Sequence, residues 1–172
     1  DGSYSTTADL SGLADGPLTV TASVSDAAGN PATATDTAAL DTSAAITVSL
    51  DDVNSGNVGA APITGTTAGV EAGQTVTLVI TDGTATVTVT AVVNPDGSYS
   101  TTADLSGLAD GPLTVTASVS DAAGNPATAT DTAALDTSAA ITVSLDDVNS
   151  GNVGAAPITG TTAGVEAGQT VT

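Results

Sequence analysis

Residues 1–77 recur without a single change as residues 96–172, so the chain repeats with a period of 95, and only LVITDGTATVTVTAVVNP, residues 78–95, occurs once. A unit of this length is a whole domain, since solenoid repeats run to roughly 20–50 residues. The fold must therefore be one that tiles in series. Identity this complete suggests recent duplication, and suggests that the number of copies, hence reach, is what the parent sequence exploits.

Alternation of apolar and polar residues supplies the phase. From Asp41, residues Ile46, Val48 and Leu50 mark a first strand, Ile63 with Gly65 a short second, and Val76, Leu78 and Ile80 a third. After Asp82-Gly83, a hairpin turn signal, Ala85, Val87, Val89 and Ala91 alternate with threonines in a fourth. Tyr99, Thr101, Ala103 and Leu105 mark a fifth, Leu113, Val115, Ala117 and Val119 a sixth, and PATATDTA from Pro126 a seventh. No stretch carries a helical period. Seven short antiparallel strands separated by turn signals predict an all-β chain, an immunoglobulin-like antiparallel β-sandwich repeated in tandem.

On this phase residues 41–135 are one complete repeat. Residues 1–40 are then the C-terminal part of a preceding repeat, and 136–172 the N-terminal part of a following one. The sequence reads as a fragment of something longer. Neither part makes a sandwich alone, and joining the two would still lack residues 78–95, so neighbouring chains or further sequence must complete them.

The charge is far from average: 19 acids, 17 of them aspartate, and no lysine, arginine or histidine. Uncompensated charge of this size repels phosphate backbones and anionic lipid, which excludes nucleic-acid and membrane partners. No apolar run approaches the ~20 residues of a membrane span. The apolar set is nearly all Ala, Val, Leu and Ile, with Tyr4 and Tyr99 the only aromatics, so a core built from it is thin. Cysteine is absent, which removes disulfides, and an isopeptide cross-link needs a lysine. Metal binding is the staple that remains.

Loops of such a sandwich alternate between its two ends, which places the acids. Asp41, Glu71, Asp96, and the DAAGN loop with Asp121 and Asn125 gather at one end, where Asp15 and Asp36 of the preceding copy also arrive. Asp51, Asp52 and Asn54 approach Asp110 at the other end, with Asp131 and Asp136 crossing the junction. Two unit charges 5 Å apart repel by roughly 0.8 kcal/mol in water and about 3 kcal/mol at an effective dielectric of 20. Calcium reverses that sign using only oxygen ligands, whereas zinc and softer metals want the missing nitrogen and sulfur. The candidate metal ligands are Asp36, Asp41, Asp51, Asp52, Asn54, Asp121, Asn125, Asp131 and Asp136, with Asp146, Asp147 and Asn149 as copies of the DDVN set. The aspartates of Asp-Gly pairs, Asp15, Asp82, Asp96 and Asp110, read first as turn formers, and Glu71 as solvated.

The DTS triplets at 41–43 and 136–138 share letters with the aspartic protease signature, but they sit in domains strung in line and cannot share a proton. With no Cys, His or Lys, the common nucleophile and base constellations fail as well. Threonine rows such as TVTVTAV are the ordinary solvent-facing partners of valine in a strand. A calcium-dependent glycan- or cell-binding module is the alternative to a purely structural role, although aromatic platforms for sugars are missing.

ITGTTAGVEAGQTVT, PDGSYSTTADLSGLADG and LTVTASVSDAAGNPATATDT together resemble the bacterial immunoglobulin-like repeats in the extender region of repeats-in-toxin adhesins, over the whole chain. The resemblance implies a calcium-rigidified stalk at the bacterial cell surface, outside the cell and exported by type I secretion, that projects distal ligand-binding domains. It implies calcium at the linker acids, which by matching positions are Asp36, Asp41, Asp131 and Asp136. DDVNSGNVGAAP departs from the family, where a longer first loop often ends in an INAAEA-like segment.

Overall fold

A computed structural model describes residues 2–172; Asp1, the first residue of the expected partial repeat, lies outside them. Two strands, β1 (Gly16–Ser25) and β2 (Pro31–Leu40), form a hairpin on their own. A sandwich follows. It contains β3 (Ala45–Ile46), β4 (Ser49–Leu50), β5 (Val53–Asn54), a 3-10 turn η1 (Val58–Ala60), β6 (Ala61–Ala68), β7 (Thr75–Thr81), β8 (Thr86–Val92), β9 (Ser98–Ala103), β10 (Gly111–Ser120) and β11 (Pro126–Asp136). Beyond it lie β12 (Ala140–Ile141), β13 (Ser144–Leu145), β14 (Ile158–Thr159) and β15 (Thr162–Ala163), paired as β12-β15 and β13-β14.

One sheet has β6 at its centre, flanked by β3, β4 and β9; the other runs β5-β11-β10-β7-β8. Alternation decides which side chains face inward. In β7 Val76, Leu78 and Ile80 are buried while their neighbours are not, and Leu113, Val115, Ala117 and Val119 do the same in β10. These two faces meet across the interior with Ile63 from β6, the usual arrangement of packed sheets about 10 Å apart. Every buried hydrophobic residue described lies between Leu50 and Leu135.

The expected first strand is broken in two. Its alternation is unbroken in sequence, yet β3 and β4 pair with β6 on either side of Thr47, and the chain then crosses to the opposite sheet, where β5 runs parallel to the end of β11. At the break, buried Tyr99, on β9 of the same sheet, donates its hydroxyl to the Thr47 carbonyl, and its ring lies over Gly65, where a β-carbon would collide with it. The β7-β8 connection is longer than a tight two-residue turn: Thr81 pairs with Thr86, and Gly83 takes a positive φ of 89° between them.

Identical sequence does not give identical burial. Val115 and Val119 are 0% and 5% exposed, while Val20 and Val24, the same residues one period earlier, are 63% and 68% exposed. Pairing alone makes the β1-β2 hairpin; only the opposing sheet makes a core, at roughly 1.5–3 kcal/mol for each large aliphatic side chain buried.

Candidate metal sites in the acidic loops

With no cation in the chain, the carboxylates are answered by amides and hydroxyls. At the Asp41 end, the DAAGN loop closes on itself: Asp121 Oδ1 accepts the Asn125 amide at 2.8 Å, and Oδ2 accepts Asn125 Nδ2 at 2.7 Å. The same Nδ2 donates to the Asp41 carbonyl at 3.1 Å, so one side-chain amide sits between an acid 84 residues away and its own loop. Asp121 is buried, and its carboxyl is held below the usual carboxylate range, mainly by Asn125. Glu71, expected to be solvated, accepts the Ala122 amide at 2.8 Å and ties the β6-β7 loop to this cluster. The structure thus brings Asp41, Asp121 and Asn125 together.

The next acid outward is Asp15, in the loop before β1. Its Oδ1 accepts the Thr42 amide and hydroxyl at 3.1 and 2.7 Å, and its Oδ2 accepts the Ser43 hydroxyl at 2.9 Å. These bonds, the Thr42 hydroxyl first, lower its pKa. Asp110 repeats the pattern at the other end, taking Thr137 N and Oγ1 at 3.1 and 2.9 Å and Ser138 Oγ at 3.2 Å. Asp41 and Asp136 cap the same segments, accepting from Ser43 N and Ser138 N at 3.4 and 3.2 Å. The DTS triplets are therefore clasps: an upstream aspartate grips the Thr and Ser that follow the strand.

The remaining candidates lie elsewhere. Asp131 sits inside β11 opposite Val115, and Asp36 holds the matching place in β2 opposite Val20. Asp131 Oδ2 accepts the Leu50 amide at 3.0 Å, and Asp52 Oδ1 accepts the Ala134 amide at 2.8 Å; the two acids fasten the β4-β5 segment to β11 from opposite sides. Among the described residues, Asp36 accepts from the adjacent Thr37 amide alone, at 2.9 Å. Asn54 folds its own loop by accepting from Gly56 N, and Asn149 does so with Gly151 N. Asp51, Asp146 and Asp147 are exposed. Among the described residues, no three acids converge to hold a metal ion by carboxylates alone.

Several polar roles escaped the sequence reading. Asp9, Asp96 and Asp104 each accept the amide and hydroxyl of a serine two residues on. The Asp-x-Ser spacing is the local signal for such turns. Asp82 closes the β7-β8 loop through Thr84 N and Ala85 N and also reaches Ala109 N at 2.8 Å, a contact with no local signature.

No family model matches the chain, and no curated protein does. A solved structure of a tetra-tandem repeat, from the extending region of a large adhesion protein, is similar at a TM-score of 0.57. It is 39% identical over 90% of this chain and 40% of that one. The chain belongs to the immunoglobulin-like extender repeats of bacterial adhesins.

This extender sequence thus spans 40% of the length of the tetra-tandem structure. Other similar structures come from ice-binding adhesins. One is a bacterial immunoglobulin-like domain of the M. primoryensis adhesin, 30% identical over 55% of this chain and 99% of that one, TM-score 0.42. Another is a Ca2+-stabilized adhesin with which an Antarctic bacterium binds ice, 28% identical over 80% of this chain and 36% of that one, TM-score 0.43. No helix of the described extender residues is long and apolar enough to cross a membrane.

Proposed function

We propose that the chain is a non-catalytic spacer from the stalk of a secreted bacterial cell-surface adhesin, stiffened by calcium at the joints between repeats. Residues 41–135 are one full repeat in this reading, with 1–40 and 136–172 belonging to its neighbours. The observation that carries it is the Asn125 side chain held between the Asp121 carboxylate and the Asp41 carbonyl at one end of the sandwich. A carboxylate, a backbone carbonyl and an amide side chain are the oxygen donors that calcium takes, and calcium does not require three carboxylates. Asn125 offers Oδ1 to an ion if its amide turns over, replacing a donor with an acceptor. At the opposite end Asp110 and Asp136, which share Ser138, are the corresponding acids.

A bound calcium ion supplies positive charge where this chain has none. Extracellular calcium modules bind at roughly 0.1–1 mM, and an ion present at one hundred times its dissociation constant adds about 2.7 kcal/mol to the state it binds. Charge supports an extracellular, calcium-rich setting; the absence of Cys, His, Lys and Arg supports a role without catalysis. The groove between β7, β10 and β11 is lined by Gln74, Thr77, Ser118 and Thr128 among others, hydroxyls and an amide with no acid or base to activate them.

Calorimetric titration with calcium tests the reading. Binding that weakens in Asp121→Asn and Asn125→Ala supports it, and absence of any binding heat in the unaltered chain at millimolar calcium overturns it.

A further inference from the structure

Five strands make the larger sheet of the sandwich, and its two margins differ. One margin is β5, two residues long; the other is β8, seven residues long, which among the described residues pairs with β7 alone. In an edge strand every second residue turns its N–H and C=O away from its neighbour, and such a row is a template for another strand. Proteins commonly blunt such an edge with a charge, a proline or a bulge. β8 has none of these: its register with β7 runs without interruption from Thr75–Val92 to Thr81–Thr86, it contains no proline, and residues 83–95 hold no acid in a chain that has 19.

The side chains of β8 are also left open. Val92 is 58% exposed, alone among the large hydrophobic side chains described between residues 41 and 135, and Val87 and Val89 on the inner face are only partly buried. β9, which pairs with β6 alone, is closely bracketed by Asp96 and Asp104. The acids nearest β8, Asp82 and Asp96, stand four residues beyond its two ends.

We infer that β8 is the seam of a two-fold dimer, in which it pairs antiparallel with β8 of a second copy and the two five-stranded sheets become one. The strand complements itself when reversed about Val89. On the outer face Thr88 meets Thr90 of the second copy, and Thr86 covers its Val92; on the inner face Val87 meets Ala91, and Val89 meets its own counterpart. Threonine and aliphatic pairs of this kind stabilise neighbouring strands, and an uncharged run of strand-forming residues without proline is the composition that pairs with itself. Because the same patch serves both copies, association closes at two. The reversed register brings the Asp82 loop of each copy toward the Asp96 turn of the other, so acids flank the seam and pairing tightens with salt.

A seven-residue seam is small beside the roughly 1,600 Å² buried in a standard stable interface, so the single contact is weak. Its pairing stands without the spacer reading. What rests on that reading is the consequence: along a stalk of many repeats the seam recurs, and effective concentration multiplies weak contacts between neighbouring stalks.

The test is run in chelator, so that it and the calcium reading fail separately. Sedimentation equilibrium of the 172-residue chain over a concentration series, at low and high sodium chloride, is compared with Thr88→Asp. Thr88 is exposed, so the variant keeps its melting temperature. The expected result is a monomer–dimer equilibrium that saturates at two and tightens with salt, and a variant that stays monomeric. The register is read separately. The chain has no cysteine, so Thr88→Cys and Thr90→Cys each carry a single thiol; in a glutathione redox buffer their equimolar mixture is expected to form the mixed disulfide several-fold faster than either variant links to itself. An unaltered chain that stays monomeric throughout, a Thr88→Asp variant that still dimerises, or a mixture that links no faster than its components would overturn the inference.

Discussion

The Asp131 carboxylate accepts the backbone amide of Leu50 across 81 residues of sequence, at 3.0 Å. It is a staple between two strands that belong to different sheets: Leu50 ends β4 on one, Asp131 lies in β11 on the other. Asp52 returns the favour to Ala134. The first strand of the sandwich is held in place by acids of its own domain, before any ion is considered.

Replacing Asp131 by alanine strands the Leu50 amide and lowers the urea midpoint of the central sandwich, with the slope of the transition unchanged. Asp36→Ala removes the same letter one period earlier, where the acid reaches only Thr37, and leaves that midpoint where it was. Equal effects from the two variants would contradict the staple.

Tyr99 offers a test in the core. Tyr99→Phe deletes the hydroxyl bond to Thr47 and costs about 1 kcal/mol. Gly65→Ala drives a methyl group into the ring and the Thr47 carbonyl and costs about 1–3 kcal/mol, typical of overpacking. Denaturant unfolding followed by circular dichroism measures both.

Stability should form a plateau bounded on each side by a named set of groups. Asp131, Asp82 and Asp121 are held below the usual 3.8 by the Leu50 amide, the Ala109 amide and the Asn125 side chain respectively. Each binds protons less readily folded than unfolded, so its contribution is complete above 3.8 and is lost as pH falls through the lower folded values. Tyr99 acts in the opposite sense. Burial pushes it up from 10.0 to about 12, so its contribution is complete below 10.0 and lost as pH climbs toward 12. Melting temperature against pH should fall at both edges, and Tyr99→Phe should abolish the alkaline fall alone.

The clasps give a local prediction. Asp110→Ala frees the Thr137 amide and the two hydroxyls it gathers, so hydrogen exchange at Thr137 and Ser138 quickens while amides of β10 and the body of β11 keep their protection. Uniform acceleration across the sandwich would mean that Asp110 supports the fold and not the joint.

Much of the architecture was legible because alternation fixes faces: Val76, Leu78, Ile80, Leu113 and Val115 were assigned inward by period alone and are buried. The break at Thr47 was not legible. Ile46, Val48 and Leu50 alternate without fault, and at the interruption the Thr47 carbonyl accepts the hydroxyl of a tyrosine 52 residues away. The acids divide the same way. Asp41, Asp121 and Asn125 meet because loops of a sandwich alternate between its ends, a rule that needs no coordinates. The sequence places Asp131 across a junction and Asp52 near Asp110, and their work as staples depends on the parallel register of β5 with β11, which no local pattern announces.

The proposed stiffening of the joints between repeats by calcium is measured most directly by small-angle scattering from several joined repeats. The expected result is a longer maximum dimension and a narrower distribution of shapes in millimolar calcium than in chelator. The same dimension and the same distribution in both would contradict it.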